Sequence, residues 1–264
     1  MTALPAEGAI EIGEHALEYR WFGPAPAEAP TLVLLHEGLG SAQLWGGFPA
    51  ALAAATGTGV MAYSRAGYGA SSPVPLPRPF SYMHDEALDV LPRVLDAIGF
   101  RRGLLVGSSD GASIATIFAG QVDDERMRGL VLMAPHFFLE DAIVAGATAA
   151  KLAYETSDLR SRLARWHDHV DVAFHGWNQA WLDPAFRGWN ITEALPRIRV
   201  PIHIIQGATD EYGTMRQVEA AEDSCFCPVS HVLMPGIGHQ PWREAAAATV
   251  ADIAAFAAPL LRDD

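Results

Sequence analysis

Cysteine is almost absent from this chain: Cys225 and Cys227 are the only two in 264 residues, and they sit one residue apart. No distant Cys and no matched Cys/His set completes a zinc site. They are therefore read as reduced thiols, no metal is expected, and a cytoplasmic location is expected. Positive charge is also scarce, with 18 Lys and Arg against 31 Asp and Glu and a net charge of −13. Binding to phosphate backbones needs clustered cations, so nucleic acid is excluded as a partner, and docking on anionic lipid is disfavoured for the same reason. No stretch approaches eighteen uninterrupted apolar residues, so no membrane span is expected. Glu7 stands where a secretory leader would carry positive charge, which argues against a leader. Internal repeats are missing, and the one biased tract is the Ala-rich C-terminal segment.

What is present is the composition of a globule: 50% hydrophobic and 19% charged residues, in a chain long enough to bury on the order of 70–75% of its unfolded surface. Short apolar runs alternate with helical periods. Ala9 to Phe22 reads as a hairpin turning near Gly13-Glu14. Strands are expected at Thr31–Leu35, Gly59–Tyr63, Gly103–Val106, Gly129–Met133, Pro201–Gln206 and His231–Met234. Helices are expected over Ser41–Ala55, Tyr82–Ile98 (with Pro92 a local misfit), Ser109–Ala119 with Gly120 at its end, and Glu244–Ala257. Fully apolar strands alternating with helices predict an α/β fold, a mostly parallel eight-stranded sheet covered on both faces. Between Pro135 and Pro201 no buried strand is expected. Residues 136–195 read as a helical cap carrying Trp166, Trp177, Trp181 and Trp189, inserted between core segments 1–135 and 196–264.

The strongest local signal is Gly107-Ser108-Ser109-Asp110-Gly111, a Gly-x-Ser-x-Gly between an apolar strand and a helix. A sharp strand-to-helix turn crowds its flanks, so glycines surround the central residue, and the turn lifts the Ser109 hydroxyl to a helix N-terminus. Ser108 and Ser113 compete, but only Ser109 has a glycine two residues away on each side. A serine nucleophile needs a base held by a third group. Asp210 follows the Ile202–Gln206 run, and His239 follows the next strand in the Gly-rich loop Gly236-Ile237-Gly238. Glu211 competes for the acid position, and Glu140 or Asp141 offers a weaker alternative. An oxyanion hole would use the backbone N–H groups of Asp110 and Gly38.

These pieces resemble the α/β-hydrolase family, of the small single-chain type with a helical cap. The matching segments are His36-Glu37-Gly38-Leu39-Gly40-Ser41 with Trp45, Ser64-Arg65-Ala66-Gly67-Tyr68-Gly69-Ala70-Ser71, the turn at Ser109, Gly207 to Asp210, and Gly236 to His239. Two departures stand out. Glu37 occupies a position that is usually glycine, and it is expected to point away from the oxyanion site and pair with Arg65. Ser108 replaces a frequent histidine.

The expected activity is that of a serine hydrolase acting on an ester or lactone of small to medium apolar acids, with Ser109 as nucleophile, His239 as base and Asp210 as its orienter. No cofactor is called for, and the expected partner is a small-molecule substrate. Trp45, His136, Phe137, Trp177 and Trp181 are candidate pocket residues. His167-Asp168-His169 is not expected to bind metal, because residues two apart on a helix face different ways. The same three groups also serve carbon–carbon hydrolysis of diketones and acyl transfer, and the fold can act as a non-catalytic binding protein. A homodimer is compatible with the sequence.

Overall fold

The structure, a computed structural model, describes residues 5–262. Eight strands build one sheet: β1 (Glu7–Ile12), β2 (His15–Phe22), β3 (Thr31–Leu35), β4 (Gly59–Tyr63), β5 (Gly103–Ser108), β6 (Met127–Met133), β7 (Ile202–Gly207) and β8 (Val229–Met234). They lie in the order β1-β2-β4-β3-β5-β6-β7-β8. β1 and β2 form an antiparallel hairpin, β2 pairs antiparallel with β4, and every later pairing is parallel. The expected eight-stranded, mostly parallel sheet is therefore present.

Around the sheet lie α1 (Phe48–Thr56), α2 (Tyr82–Asp85), α3 (Leu91–Ala97), α4 (Asp110–Gln121), α5 (Asp141–Thr156), α6 (Leu159–Leu163), α7 (Val170–Leu182), α8 (Met215–Ser224), α9 (Pro241–Glu244) and α10 (Ala246–Leu260). Because successive strand residues point to opposite faces, each central strand serves two cores. Leu32 and Leu34 of β3 join Leu52 of α1 and Ile253 of α10 on one face. Val33 and Leu35 join Leu95 of α3 and Ile114 of α4 on the other.

Three helix boundaries differ from the sequence reading. The Ser41–Ala55 helix starts only at Phe48, because Gly46 takes a left-handed φ of 57° and Pro49 supplies the usual first-turn signal. The Tyr82–Ile98 helix is interrupted by a π turn at Glu86–Val90 just before Pro92. The wider turn accommodates a residue that has no N–H and crowds the carbonyl four residues back. Leu88, at the spacing of the apolar Leu91 and Leu95, is 39% exposed. At the C-terminus the chain breaks at Ala245, giving two helices in place of one.

The topology sets the site. β4 lies on one side of β3 and β5 on the other, so the loops leaving the carboxyl ends of β3 and β5 diverge around a crevice. His36 leaves β3 there, and Ser109 leaves β5. α5, α6, α7 and 3-10 turns at Pro184–Gly188 and Thr192–Arg197 all fall between β6 and β7. Tyr154 of α5 stacks on Phe174 of α7 at 3.7 Å, and Asn178 donates to the Ala147 carbonyl at 2.7 Å. This helical segment touches the crevice loops through His167, whose Nδ1 accepts from the Gly69 N–H and whose Nε2 donates to the Leu39 carbonyl. Among the described residues no helix is long and apolar enough to cross a membrane.

Candidate active site

Ser109 sits at φ 53° and ψ −117°, a strained conformation for a residue with a side chain. The glycines around it are required by contact. A Cβ at Gly107 would stand 2.4 Å from the Gly111 carbonyl oxygen, and one at Gly111 would stand 2.0 Å from the Leu35 carbonyl oxygen. The turn is pinned from below by the Ser109 N–H donating to the Met133 carbonyl at 2.9 Å. Asp110 opens α4, where a first-turn N–H has no intrahelical acceptor.

His239 Nδ1 donates to Asp210 Oδ1 at 2.8 Å, with both side chains largely buried. The same oxygen accepts from the Tyr212 and Gly213 N–H groups, and Oδ2 accepts from the Gln206 amide at 2.8 Å. Burial pushes the Asp210 carboxyl up. The hydrogen bond and charge of His239, with the Tyr212 N–H and Gln206, outweigh it and hold the group below the usual carboxylate range. The segments that carry Asp210 and His239 press together, since a Cβ at Gly207 would be 2.0 Å from the Gly238 carbonyl oxygen. Glu244 straps the His239 loop by accepting from the N–H groups on either side of it, those of Gly238 and Gln240.

Ser109 and His239 line one small cavity of about 80 Å³, together with Gly38, Asp110, His136, Trp177, Trp181 and Tyr212 among others. Among the described residues the Ser109 hydroxyl makes no hydrogen bond, including none to His239. With Nδ1 committed to Asp210, the other ring nitrogen of His239 remains for the cavity.

The loop after β3 is held by a buried arginine. Arg65 donates to the His36 and Glu37 carbonyls, while its own N–H donates to His36 Nε2 at 3.1 Å. This places the His36 proton on Nδ1, which donates to the Glu37 carbonyl at 2.7 Å. The expected pairing of the Glu37 carboxylate with Arg65 is thus replaced by bonds to the backbone. Among the described residues the buried Glu37 Oε1 has no partner, and burial raises the pKa of the group. Its carboxyl lies close to Gly40, where a Cβ would be 2.7 Å from Oε2. Asp110 is likewise buried, accepts from the Tyr82 hydroxyl at 2.7 Å, and is pushed up by burial against the pull of Arg65 and Tyr82. Gly38 must be glycine, because a Cβ would fall 2.2 Å from Trp177 Cδ1.

Of the expected pocket residues, His136, Trp177 and Trp181 line the cavity. Phe137 does not: it is fully buried in the core beneath. Its direction is set by its N–H donating to Gln217, a contact across 80 residues. Trp45 stacks on Phe48, packs at a tilt against Trp242, and borders a neighbouring groove instead of the Ser109 cavity. Glu140, the alternative acid, is taken up by Thr214 and Gln217. Asp141 and Glu211 are exposed. Sequence reasoning missed Gln206 at the end of β7, Tyr212 in the loop after it and Glu244 at the end of α9, which act on the Asp210 and His239 segments from positions that carry no motif.

His136 stacks on His239 at 5.4 Å, and burial together with the charge of His239 pushes it down to about 3. His36 is also held well below its ordinary value, first by burial and then by Arg65. Folded pKa values below the unfolded value mean that the unfolded chain binds protons the folded chain refuses. Stability is therefore full above about pH 6.5 and falls as the pH drops toward 3. His136 contributes a slope of about 1.4 kcal/mol per pH unit in that window, and His36 acts in the same direction. Thermal melts between pH 7.5 and 4 should show this decline, and His136→Phe should flatten it. Equal slopes in the two proteins would contradict the assignment.

Residues 32–253 match the model of the alpha/beta hydrolase family. Among solved structures, the chain is similar to a proline iminopeptidase of Mycobacterium smegmatis (20% identity, 95% of this chain and 97% of that one, TM-score 0.73). It is also similar to an enol-lactonase from Burkholderia xenovorans (20%, 94% and 99%, 0.72) and to an esterase from a Rhodococcus species (19%, 97% and 100%, 0.72). No curated protein matches it in sequence. With the family model covering most of its length, this chain belongs to the alpha/beta hydrolase family.

Proposed function

We propose that the protein is a serine hydrolase that cleaves carboxylic esters or lactones with a short acyl part. The observation that carries the reading is the strained turn presenting Ser109 to the same small cavity as an imidazole already committed to Asp210. In the proposed reaction His239 takes the Ser109 proton while the serine oxygen bonds to the acyl carbon. The N–H groups of Gly38 and Asp110 receive the oxyanion. Collapse breaks the bond to the leaving oxygen, and that oxygen takes the proton from His239. Water then repeats the sequence in reverse roles to free the acid. Asp210 fixes the tautomer of His239 and stabilises its cation. The serine–histidine contact tightens on substrate binding, as such contacts commonly do.

The cavity limits the acyl part. Its volume of about 80 Å³ is well below the ~300–1,000 Å³ of sites that enclose a drug-sized ligand, which fits a short acyl group better than a long chain. The test is a series of p-nitrophenyl esters. Turnover is expected to be highest for acetate and to fall at least tenfold by octanoate. No ester hydrolysis, with turnover of a diketone instead, would replace this reading by carbon–carbon cleavage.

A further inference from the structure

Beside the Ser109 cavity lies a groove of about 1110 Å³, bounded by Trp45, Phe48, Leu163, Trp166, Trp242 and Val250 among others. It adjoins the cavity that holds Ser109, with Glu37, Leu39 and Gln240 bordering both. The two spaces differ sharply in size. Sites that hold whole drug-sized ligands measure ~300–1,000 Å³, so the small cavity encloses only the reacting end of a substrate, while the groove is large enough for the rest. Direction follows from chemistry. The leaving oxygen must end beside His239 to take its proton, and Gln240, the next residue, forms part of the groove wall.

The groove also carries charge. Arg162, Arg165 and Arg243 stand along it, all exposed. Arg162 is within 3.3 Å of Asp158. Among the described residues Arg165 and Arg243 have no carboxylate within ion-pair distance. In a chain of net charge −13, these cations give an apolar trough a locally cationic edge. Guanidinium groups match carboxylate and phosphate oxygens in pairs.

We infer that this groove binds the leaving-group half of the substrate, and that this half is an amphiphilic anion, an apolar chain or ring system ending in a carboxylate or phosphate. The inference builds on the serine-hydrolase reading but can be tested without turnover. Titrations of the intact protein with undecanoate, decyl phosphate and decyltrimethylammonium, followed by tryptophan fluorescence and calorimetry, share one ten-carbon tail and differ only in the head. Saturable binding of at least one of the two anions, at least tenfold tighter than the cation at low salt, is expected. Which anion binds better identifies the head group. The preference should shrink at 0.5 M salt, because exposed charges are screened. R165E/R243E should reverse the order. R165Q/R243Q, which removes charge without adding any, should level it and covers the case in which the reversed pair does not fold.

Equal affinities for anion and cation, absence of saturable binding of either anion, or a preference untouched by both double variants would overturn the inference. Hydrolysis of p-nitrophenyl acetate by the unsubstituted protein reads the serine-hydrolase reading alone, so failure of one is not mistaken for failure of the other.

Discussion

Ser109→Ala is expected to lower kcat/KM for p-nitrophenyl acetate by about 10⁶-fold, to the rate left by binding and the oxyanion donors alone, as removal of a catalytic serine does elsewhere. The effect should be confined to chemistry. The hydroxyl makes no hydrogen bond among the described residues, and alanine inherits the same backbone strain at φ 53°. The melting temperature should therefore stay close to that of the parent, as for a substitution within about 0.5 kcal/mol. A variant that keeps a tenth or more of the activity would show that the nucleophile lies elsewhere. One that loses activity together with its fold would leave the strain argument wrong.

At Asp210 the expected result depends on which residue replaces the acid. Asp210→Ala removes the orienter and should cost about 10⁴-fold in kcat. Asp210→Asn should be milder. Two backbone N–H groups, from Tyr212 and Gly213, point at Oδ1 together with His239 Nδ1. An asparagine must therefore place its carbonyl oxygen there. Its NH₂ then faces Gln206, whose Oε1 is buried without a partner among the described residues and can accept after an amide flip. The imidazole keeps its tautomer, so only the negative charge is lost. That charge is worth about 4 kcal/mol at 4 Å in an effective dielectric of 20, or a loss of about 10³-fold. Single-turnover rates for the two variants check this order. Equal losses would show that Gln206 does not turn and that the wrong tautomer is formed.

The scaffold was legible because its signals are local. Apolar runs such as Thr31–Leu35 and Gly59–Tyr63 coincide residue for residue with β3 and β4, since a strand buried on both faces must be apolar throughout. The start of α1 was misplaced because periodicity over Ser41–Ala55 outweighed the Gly46-Gly47-Phe48-Pro49 punctuation. The turn at Ser109 was legible because its glycines answer a steric demand within five residues. The supports of the candidate site were not. Arg65 acts on carbonyls 28 and 29 residues away, and Phe137 is turned inward by Gln217 80 residues away. Glu244 reaches back only four to six residues, yet no spacing rule assigns a carboxylate there to a loop. Side-chain direction in such loops is decided by tertiary partners, and a one-dimensional pattern does not carry it.

An activated hydroxyl at Ser109 is tested most directly by covalent labelling with a fluorophosphonate probe. Peptide mass spectrometry should find one probe adduct, on Ser109, formed at a rate that falls steeply in His239→Ala while circular dichroism remains unchanged. A folded, unsubstituted protein that takes up no probe, or takes it up on another residue, would contradict the account.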